Sequence, residues 1–182
     1  MPRPRGRDLA VKAFVSMPSL STLFVDVHAS DLLDHDLYSP DSPLSRVADR
    51  VVLQLRARGA ALSMEDLFPR ASVLRYMGFR LAVADLDGSR ARLAHIAELS
   101  PSFVKIEADL VRRVDDSPTR QRVVAAIAAM CKTLGAATIA EGVVTAEERD
   151  ALLDAGVDAL QGPLVAPHAP NSVTRRTPVP VR

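Results

Sequence analysis

Residues 101–142 read PSFVKIEADLVRRVDDSPTRQRVVAAIAAMCKTLGAATIAEG and contain one complete strand–helix–strand unit. The apolar run Phe103–Glu107 predicts a strand, and the apolar stripe of Arg120–Leu134 predicts an amphipathic helix. Gly135 has the position of a helix C′ glycine, and Ala136–Glu141 after it predicts a second strand. Strands separated by a helix cannot form a hairpin, so the two strands should be parallel.

The same alternation extends over the rest of the chain. It predicts strands at Leu23–Val27, Val51–Leu55, Phe79–Asp85, Val157–Gln161 and Pro163–Val165, and helices at Met64–Met77, Ser89–Leu99 and Thr145–Ala155. The last helix opens with a capping box, Thr145 at the N-cap and Glu148 at the third helical position. Asp34–Ser45, with its prolines, aspartates and serines, reads as a surface loop. The pattern is an α/β repeat, either a doubly wound sheet or a barrel. No Gly-rich phosphate loop follows a strand, which disfavours a dinucleotide-binding sheet.

Composition narrows the class of protein. The chain has 182 residues, of which 48% are hydrophobic, so it can bury the core of one domain. A net charge of +1 argues against a dedicated DNA-binding protein. The single cysteine, Cys131, fits a reducing cytoplasm, and no apolar run is long enough for a membrane span. We expect an N-terminal segment over residues 1–20 that can form a helix, a β/α domain over 21–167 and a flexible tail over 168–182.

Polar residues recur near the carboxyl ends of the predicted strands. They are Asp26, Gln54, Asp85, Lys105, Glu107, Glu141 and Gln161. Burial of an unpaired charge is costly, so these side chains should share a polar site, as at the mouth of a β/α barrel. Carboxylates with amides and a lysine suit divalent cations and phosphate oxygens. The alternative is that they are ordinary solvated strand ends.

Three of these stretches carry a resemblance to a known family. Phe103-Val104-Lys105-Ile106-Glu107, Ala140-Glu141-Gly142-Val143-Val144-Thr145 and Gln161-Gly162-Pro163-Leu164 resemble, in order and spacing, motifs of the EAL domain family, the bacterial cyclic di-GMP phosphodiesterases. The similarity runs from about Leu23 to Pro167. It implies a TIM-like β/α barrel with two divalent metals at its mouth. It also implies that Asp85 and Glu141 are metal ligands, that Lys105 positions water and phosphate in catalysis, and that Gln161 contacts the substrate.

The departures from the family pattern lie at charged positions. The E-A-L tripeptide is absent, and with it the first strand, so the resemblance implies an incomplete barrel. Where the family has glutamate, aspartate and glutamate, this chain has Gln54, Ala84 and Val144. Asp26 replaces an asparagine and Glu107 an aspartate, and both would be weak metal ligands. Because carboxylate count sets the affinity for Mg²⁺ or Mn²⁺, we expect no tightly bound metal and no hydrolysis.

Three interpretations remain open at the level of sequence. The first is a degenerate EAL-like module of cyclic di-GMP signalling that acts by binding the nucleotide or a protein. The second is a phosphodiesterase with residual activity, with one ion held by Asp26, Asp85, Glu107 and Glu141. The third is a gene fragment without function. An incomplete barrel would expose strand edges, which a protein partner, a second copy of the chain or the N-terminal segment would cover.

Overall fold

The structure is a computed structural model that describes residues 11–12, 14–18, 21–28, 30–56, 64–84 and 97–165. Asp85, most of the helix expected at Ser89–Leu99 and the tail expected over 168–182 lie outside the described residues. Residues 97–99 are helical.

The strands and helices alternate along the chain as the sequence predicts. The strands are β1 (Leu23–Val27), β2 (Val51–Arg56), β3 (Arg80–Ala84), β4 (Phe103–Ile106), β5 (Ala137–Glu141) and β6 (Ala159–Gln161). The helices are α1 (Met64–Tyr76), α2 (Ala108–Val111), α3 (Pro118–Thr133) and α4 (Ala146–Asp154). Strand order in the sheet follows chain order. The pairs β1–β2, β4–β5 and β5–β6 are parallel, which confirms the prediction of parallel neighbours.

The described residues divide into two compact units, with the boundary between Val83 and Ala84. In the first unit, β1 and β2 pair from Leu23 opposite Val51 to Val27 opposite Leu55. From Val51 to Leu55 the β2 side chains are almost wholly buried, as expected for a parallel strand packed on both faces.

The segment between β1 and β2 contains three 3₁₀ helices, at Asp31–Leu33, His35–Tyr38 and Ser45–Arg50. Of these, His35–Tyr38 lies within the loop predicted over Asp34–Ser45, and the third begins at its last residue. Most of that loop is exposed or half-buried, as predicted, but Leu37 and Leu44 are buried. The prolines and aspartates of this segment mark turns, but its leucines recur too irregularly to predict that they reach the core.

Arg50, directly before β2, forms hydrogen bonds with the segment that precedes β1. Its Nη2 donates to the carbonyl of Pro18 at 2.8 Å and of Met17 at 3.4 Å, and its Nε donates to that of Ser21 at 3.4 Å. The guanidinium also lies 4.4 Å from the ring centroid of Phe14, which is fully buried. Phe14 thereby belongs to the core of the first unit.

In the second unit, α3 packs beside β5. The Ser117 side chain caps its N-terminus by accepting from the Arg120 amide, and Pro118 occupies the first turn. Gly135 has φ +72°, which confirms the predicted C′ glycine. The buried face of α3 is narrower than the apolar stripe that the sequence predicts. Val124, Ile127 and Cys131 are buried, but Val123 and Leu134 are exposed at the margins of the stripe.

The end of the second unit differs from its prediction in one place. Pro163–Val165 forms a turn after β6 and not a strand. Among the described residues, no helix is both long enough and apolar enough to span a bilayer.

Candidate ligand site at the ends of β4, β5 and β6

Lys105 and Glu141 are brought together by the parallel pairing of β4 and β5. Lys105 lies opposite Ile139, two residues before Glu141, so both side chains leave the same face of the sheet. The Lys105 ammonium forms an ion pair with the Glu141 carboxylate. The lysine side chain is 5% exposed and that of the glutamate 29% exposed. The pair therefore holds a buried cation beside a carboxylate that solvent can reach.

Gln161 is placed next to Glu141 by the register of β5 with β6, in which the two residues lie opposite each other. Gln161 is exposed. Beyond the strands, the Val143 amide donates to the Gln161 carbonyl at 3.1 Å, and the Leu164 amide donates to the Val143 carbonyl at 3.1 Å. The loop between β5 and α4, residues 142–145, is thus bonded to the turn that follows β6.

Two glycines permit this crossing, and the sequence reading missed their role. A Cβ on Gly162 would lie 2.3 Å from the Val143 nitrogen and 2.4 Å from its oxygen. A Cβ on Gly142, where φ is +75°, would lie 2.7 Å from the Cβ of Ala108. Only glycine allows both close approaches. The signal was present, since each glycine directly follows the polar residue that ends its strand.

Glu148 forms more hydrogen bonds than the capping box predicts. Both halves of the predicted capping box form, with the Glu148 amide donating to Thr145 Oγ1 at 3.1 Å. The carboxylate also accepts from the backbone amides of Val144 at 2.9 Å and Arg113 at 2.8 Å. Glu148 is 4% exposed. Burial by itself would raise the pKa of Glu148, but the amides of Arg113, Val144 and Thr145 hold that pKa below its ordinary value.

The other predicted site residues have different surroundings. In the first unit Asp26 is exposed, and its partner in the β1–β2 register, Gln54, is buried. Ala84 ends β3, and its methyl group has no donor to offer. Glu107 is half-buried at the N-cap of α2, and Val144 is 56% exposed in the β5–α4 loop. Asp85 lies outside the described residues, so the ligand role predicted for it stays a prediction.

Among the described residues, the predicted metal positions supply few charged donors. Gln54 and Ala84 bring no charge, and the Glu141 carboxylate is engaged by the Lys105 ammonium. Within the part of the chain that the structure describes, no three His, Cys, Asp or Glu side chains are grouped closely enough to hold a metal ion. Divalent cations require several oxygen ligands, at least some of them anionic. The described residues by themselves therefore do not make up a divalent-metal site.

Cys131 takes no part in this chemistry. It is fully buried on α3, as the apolar stripe predicts. Burial, with a smaller contribution from Asp158, raises the pKa of the Cys131 thiol to about 11. The thiol stays protonated near neutral pH and is a poor nucleophile.

Comparisons with known proteins agree with this architecture. The family model of the EAL domain matches residues 14–168. The cyclic di-GMP phosphodiesterase RocR of Pseudomonas aeruginosa is 30% identical over 106 residues, which are 58% of this chain and 26% of that protein. This chain therefore spans about a quarter of that relative's length.

Two solved structures share the fold. The Bacillus subtilis YkuI protein, with an EAL domain, was solved in complex with its substrate cyclic di-GMP and calcium. It has a TM-score of 0.77 at 22% identity, over 89% of this chain and 42% of that one. The EAL domain of Xanthomonas citri FimX, in complex with cyclic di-GMP, has a TM-score of 0.78 at 19% identity, over 92% of this chain and 67% of that one.

The fold and the family match define the class of protein. This is a TIM-like β/α domain. The described residues form six of its strands, whereas a closed TIM barrel has eight. The chain belongs to the EAL domain family, the family of cyclic di-GMP signalling.

Proposed function

We propose that this EAL domain binds cyclic di-GMP without hydrolysing it and transmits the signal through protein contact. The observation that carries the proposal is the retention of the buried Lys105 cation together with the loss of carboxylates at family metal positions, where this chain has Gln54 and Ala84. Lys105 forms an ion pair with Glu141, and both residues are retained from the family pattern, so this pair bears on binding and the missing carboxylates bear on hydrolysis.

The charge at the other family positions supports the same conclusion. Gln54 and Ala84 replace two carboxylates of the family pattern, and Val144 replaces a third acidic residue. Two-metal hydrolysis requires both ions in order to stabilise the attacking and leaving oxygens. Each missing electrostatic contribution is typically worth about 3 kcal/mol, or a hundredfold or more in rate. Turnover should therefore lie several powers of ten below that of an intact centre.

Binding requires less than hydrolysis. Lys105 supplies a buried ammonium, and the exposed Gln161, opposite Glu141 in the sheet, supplies an amide. Together they offer a charge and hydrogen bonds to a phosphodiester and its attached base. YkuI and the FimX domain, which share this fold, were both solved with cyclic di-GMP bound. The proposed binding mode rests on the protein's own cation, so it does not depend on a divalent metal.

Calorimetry with cyclic di-GMP, in excess chelator and again in Mn²⁺, tests binding, and chromatography of the same mixtures tests for linear dinucleotide. We expect equal affinity in both buffers and no product above that of Glu141→Ala. Binding that requires Mn²⁺, or product above that control, would overturn the proposal. Lys105→Met should abolish binding, while Lys132→Met, at the exposed end of α3, should not.

A second candidate function is slow phosphodiester hydrolysis. It is favoured by the retention of Lys105, Glu141 and Gln161, and by the similarity to RocR, which is a phosphodiesterase. Manganese-dependent product that disappears in Glu141→Ala would establish it.

The proposed protein contact includes self-association. Within the described residues β1 and β6 are the terminal strands of the sheet, and such strands present unpaired backbone groups to another chain. Light scattering during gel filtration, with and without cyclic di-GMP, measures the mass. A monomer at all concentrations would argue for a different protein as the partner.

A further inference from the structure

We propose that Glu148 is a positioning residue for the nucleotide site, because its buried carboxylate fixes the β5–α4 loop and, through that loop, Gln161. The inference rests on the proposed function, since it assumes that the ends of β5 and β6 contact cyclic di-GMP. Glu148 itself does not touch the site, and its effect passes through backbone hydrogen bonds.

The carboxylate of Glu148 does more than cap a helix. A capping box needs one oxygen for the N-cap amide, here that of Thr145 at 3.3 Å. The same oxygen, Oε2, also accepts from the Val144 amide at 2.9 Å. The other oxygen, Oε1, accepts from the Arg113 amide at 2.8 Å, which comes from a residue 35 positions away. Three amides from two loops therefore converge on one anion.

Arg113 shows that the second loop depends on this bond. Its φ of +56° is left-handed, a conformation that a residue with a Cβ adopts only when its surroundings hold it there. The bond to Glu148 is one of the contacts that hold it. The Arg113 side chain itself is directed to solvent and pairs with Asp116, so it is the backbone that meets the carboxylate.

The β5–α4 loop connects Glu148 to Gln161 through backbone hydrogen bonds. Val144 and Thr145 are bonded to Glu148, Val143 is bonded to the carbonyl of Gln161, and Gly142 lies against Ala108 without room for a Cβ. Every residue of the loop is therefore fixed by a neighbour. Displacement of Val144 must displace Val143, and with it the backbone from which the Gln161 side chain extends.

A neutral side chain cannot replace this anion. A glutamine at position 148 has one acceptor oxygen, and its amide group would direct hydrogens at the N–H groups that the second carboxylate oxygen now accepts. Since position 148 is buried, water cannot readily satisfy the amides that lose their acceptor. The loop must then move to find other partners.

Three variants of the full chain separate positioning from capping. Glu148→Gln removes the anion. Glu147→Gln makes the same chemical change one residue earlier, at an exposed position. Thr145→Val removes the hydroxyl that caps α4 and leaves all three amide bonds to Glu148 in place. Circular dichroism and thermal unfolding verify that each variant is folded.

Affinity for cyclic di-GMP is measured by calorimetry in chelator. We expect about tenfold weaker binding for Glu148→Gln, the effect of one buried acceptor lost. Thr145→Val should lower the unfolding temperature but bind within about twofold of the unaltered chain, as should Glu147→Gln. Equal weakening by Thr145→Val and Glu148→Gln, or unchanged binding by Glu148→Gln, would overturn the inference.

Absence of cyclic di-GMP binding by the unaltered chain would contradict the proposed function but not the effect of Glu148 on the loop. Amide hydrogen exchange tests that effect without a ligand. In Glu148→Gln, the amides of Arg113, Val144 and Thr145 should exchange faster together, by about tenfold, and those of Val143 and Gln161 should follow. Acceleration limited to Thr145 and the first turn of α4 would show that Glu148 only caps the helix. The same measurement serves if Glu148→Gln is too unstable for calorimetry.

Discussion

The ends of β5 and β6 differ from the ends of β1 and β2 in their ion pairs and loop hydrogen bonds. At β5 and β6, Glu141 lies opposite Gln161 and is paired with Lys105, and Val143, Val144 and Thr145 of the adjoining loop are hydrogen-bonded. At β1 and β2, Asp26 lies opposite Gln54; the acid is exposed and the amide is buried.

This difference teaches that the hydrogen-bonded loop and the paired charges lie at the same strand ends, β4 to β6. Under the proposed function, Lys105 and Gln161 bind the nucleotide, while Gln54 lacks the charge that would help to hold a cation. Binding then requires the groups at β4, β5 and β6 alone, whereas hydrolysis also requires the metal ligands.

The largest effect is expected from Gly162→Ala. The added Cβ would lie 2.3 Å from a backbone nitrogen that cannot rotate away, so the crossing of the two loops must open. We expect a loss of about 3 kcal/mol or more in the free energy of unfolding, measured in urea. Gly135→Ala is the control, because φ there is +72° but nothing lies within 4 Å of the new Cβ. It should cost only about 1 kcal/mol for the left-handed backbone. Equal costs would refute the close-approach argument.

The next effect concerns the ion pair. Lys105→Met, Glu141→Gln and the double variant form a cycle that isolates the coupling of the two charges. We expect a coupling energy of about 2 kcal/mol, below that of a fully buried pair because water reaches Glu141. A coupling near zero would mean that the ammonium does not occupy the carboxylate, and Glu141 would then be free to ligate a metal.

A smaller effect is expected when charge is returned to the altered positions. Gln54→Glu and Ala84→Asp each restore one carboxylate of the family pattern, and each should tighten Mn²⁺ binding by about tenfold in calorimetry. Ala84→Asn has nearly the same shape as the aspartate without its charge and should leave Mn²⁺ binding unchanged. Because Gln54 is buried, Gln54→Glu should also be less stable without metal. Unchanged Mn²⁺ affinity in both acidic variants would show that these positions do not face a cation site.

The smallest effect is a dependence on pH at the β5–α4 loop. The native pKa of Glu148 is lowered, so the native state binds fewer protons there than the unfolded state. The contribution to stability is complete above the ordinary value of 4.5 and is lost as the pH falls through the lowered native value. Glu148→Gln lacks this contribution. Its stability deficit should be constant near neutral pH and should shrink below about pH 4. A stability deficit that grows in acid would contradict a lowered native pKa of Glu148.

Sequence patterns predict the strands of this domain well but say little about how its loops meet. The capping box of Thr145 and Glu148 was readable because its two residues are three positions apart. The bond from Arg113 to the same carboxylate was not, since no local pattern connects positions 113 and 148. The burial of Leu37 and Leu44 within the predicted surface loop was not readable either, because 3₁₀ helices of three to six residues leave no recognisable apolar periodicity.

The candidate site was predictable in part. The placement of Lys105 near Glu141 follows from parallel strands with polar residues at their carboxyl ends, and the register confirms that they meet. Their ion pair was not predicted, because spacing alone does not say whether a carboxylate faces a lysine or a metal. The width of the buried face of α3 was not predicted either. Helical spacing identifies a face but not its margins, where Val123 and Leu134 are exposed.

The contacts of Arg50 bear on how this chain responds to proteases. One guanidinium bonds the carbonyls of Met17, Pro18 and Ser21 and covers the ring of Phe14. A cut between Pro18 and Ser21 would leave contacts of Arg50 on both sides of it, so we expect the two pieces to stay associated until the protein is denatured. Removal of Phe14 would instead open a hollow of the size of a phenyl ring, which small aromatic molecules could fill.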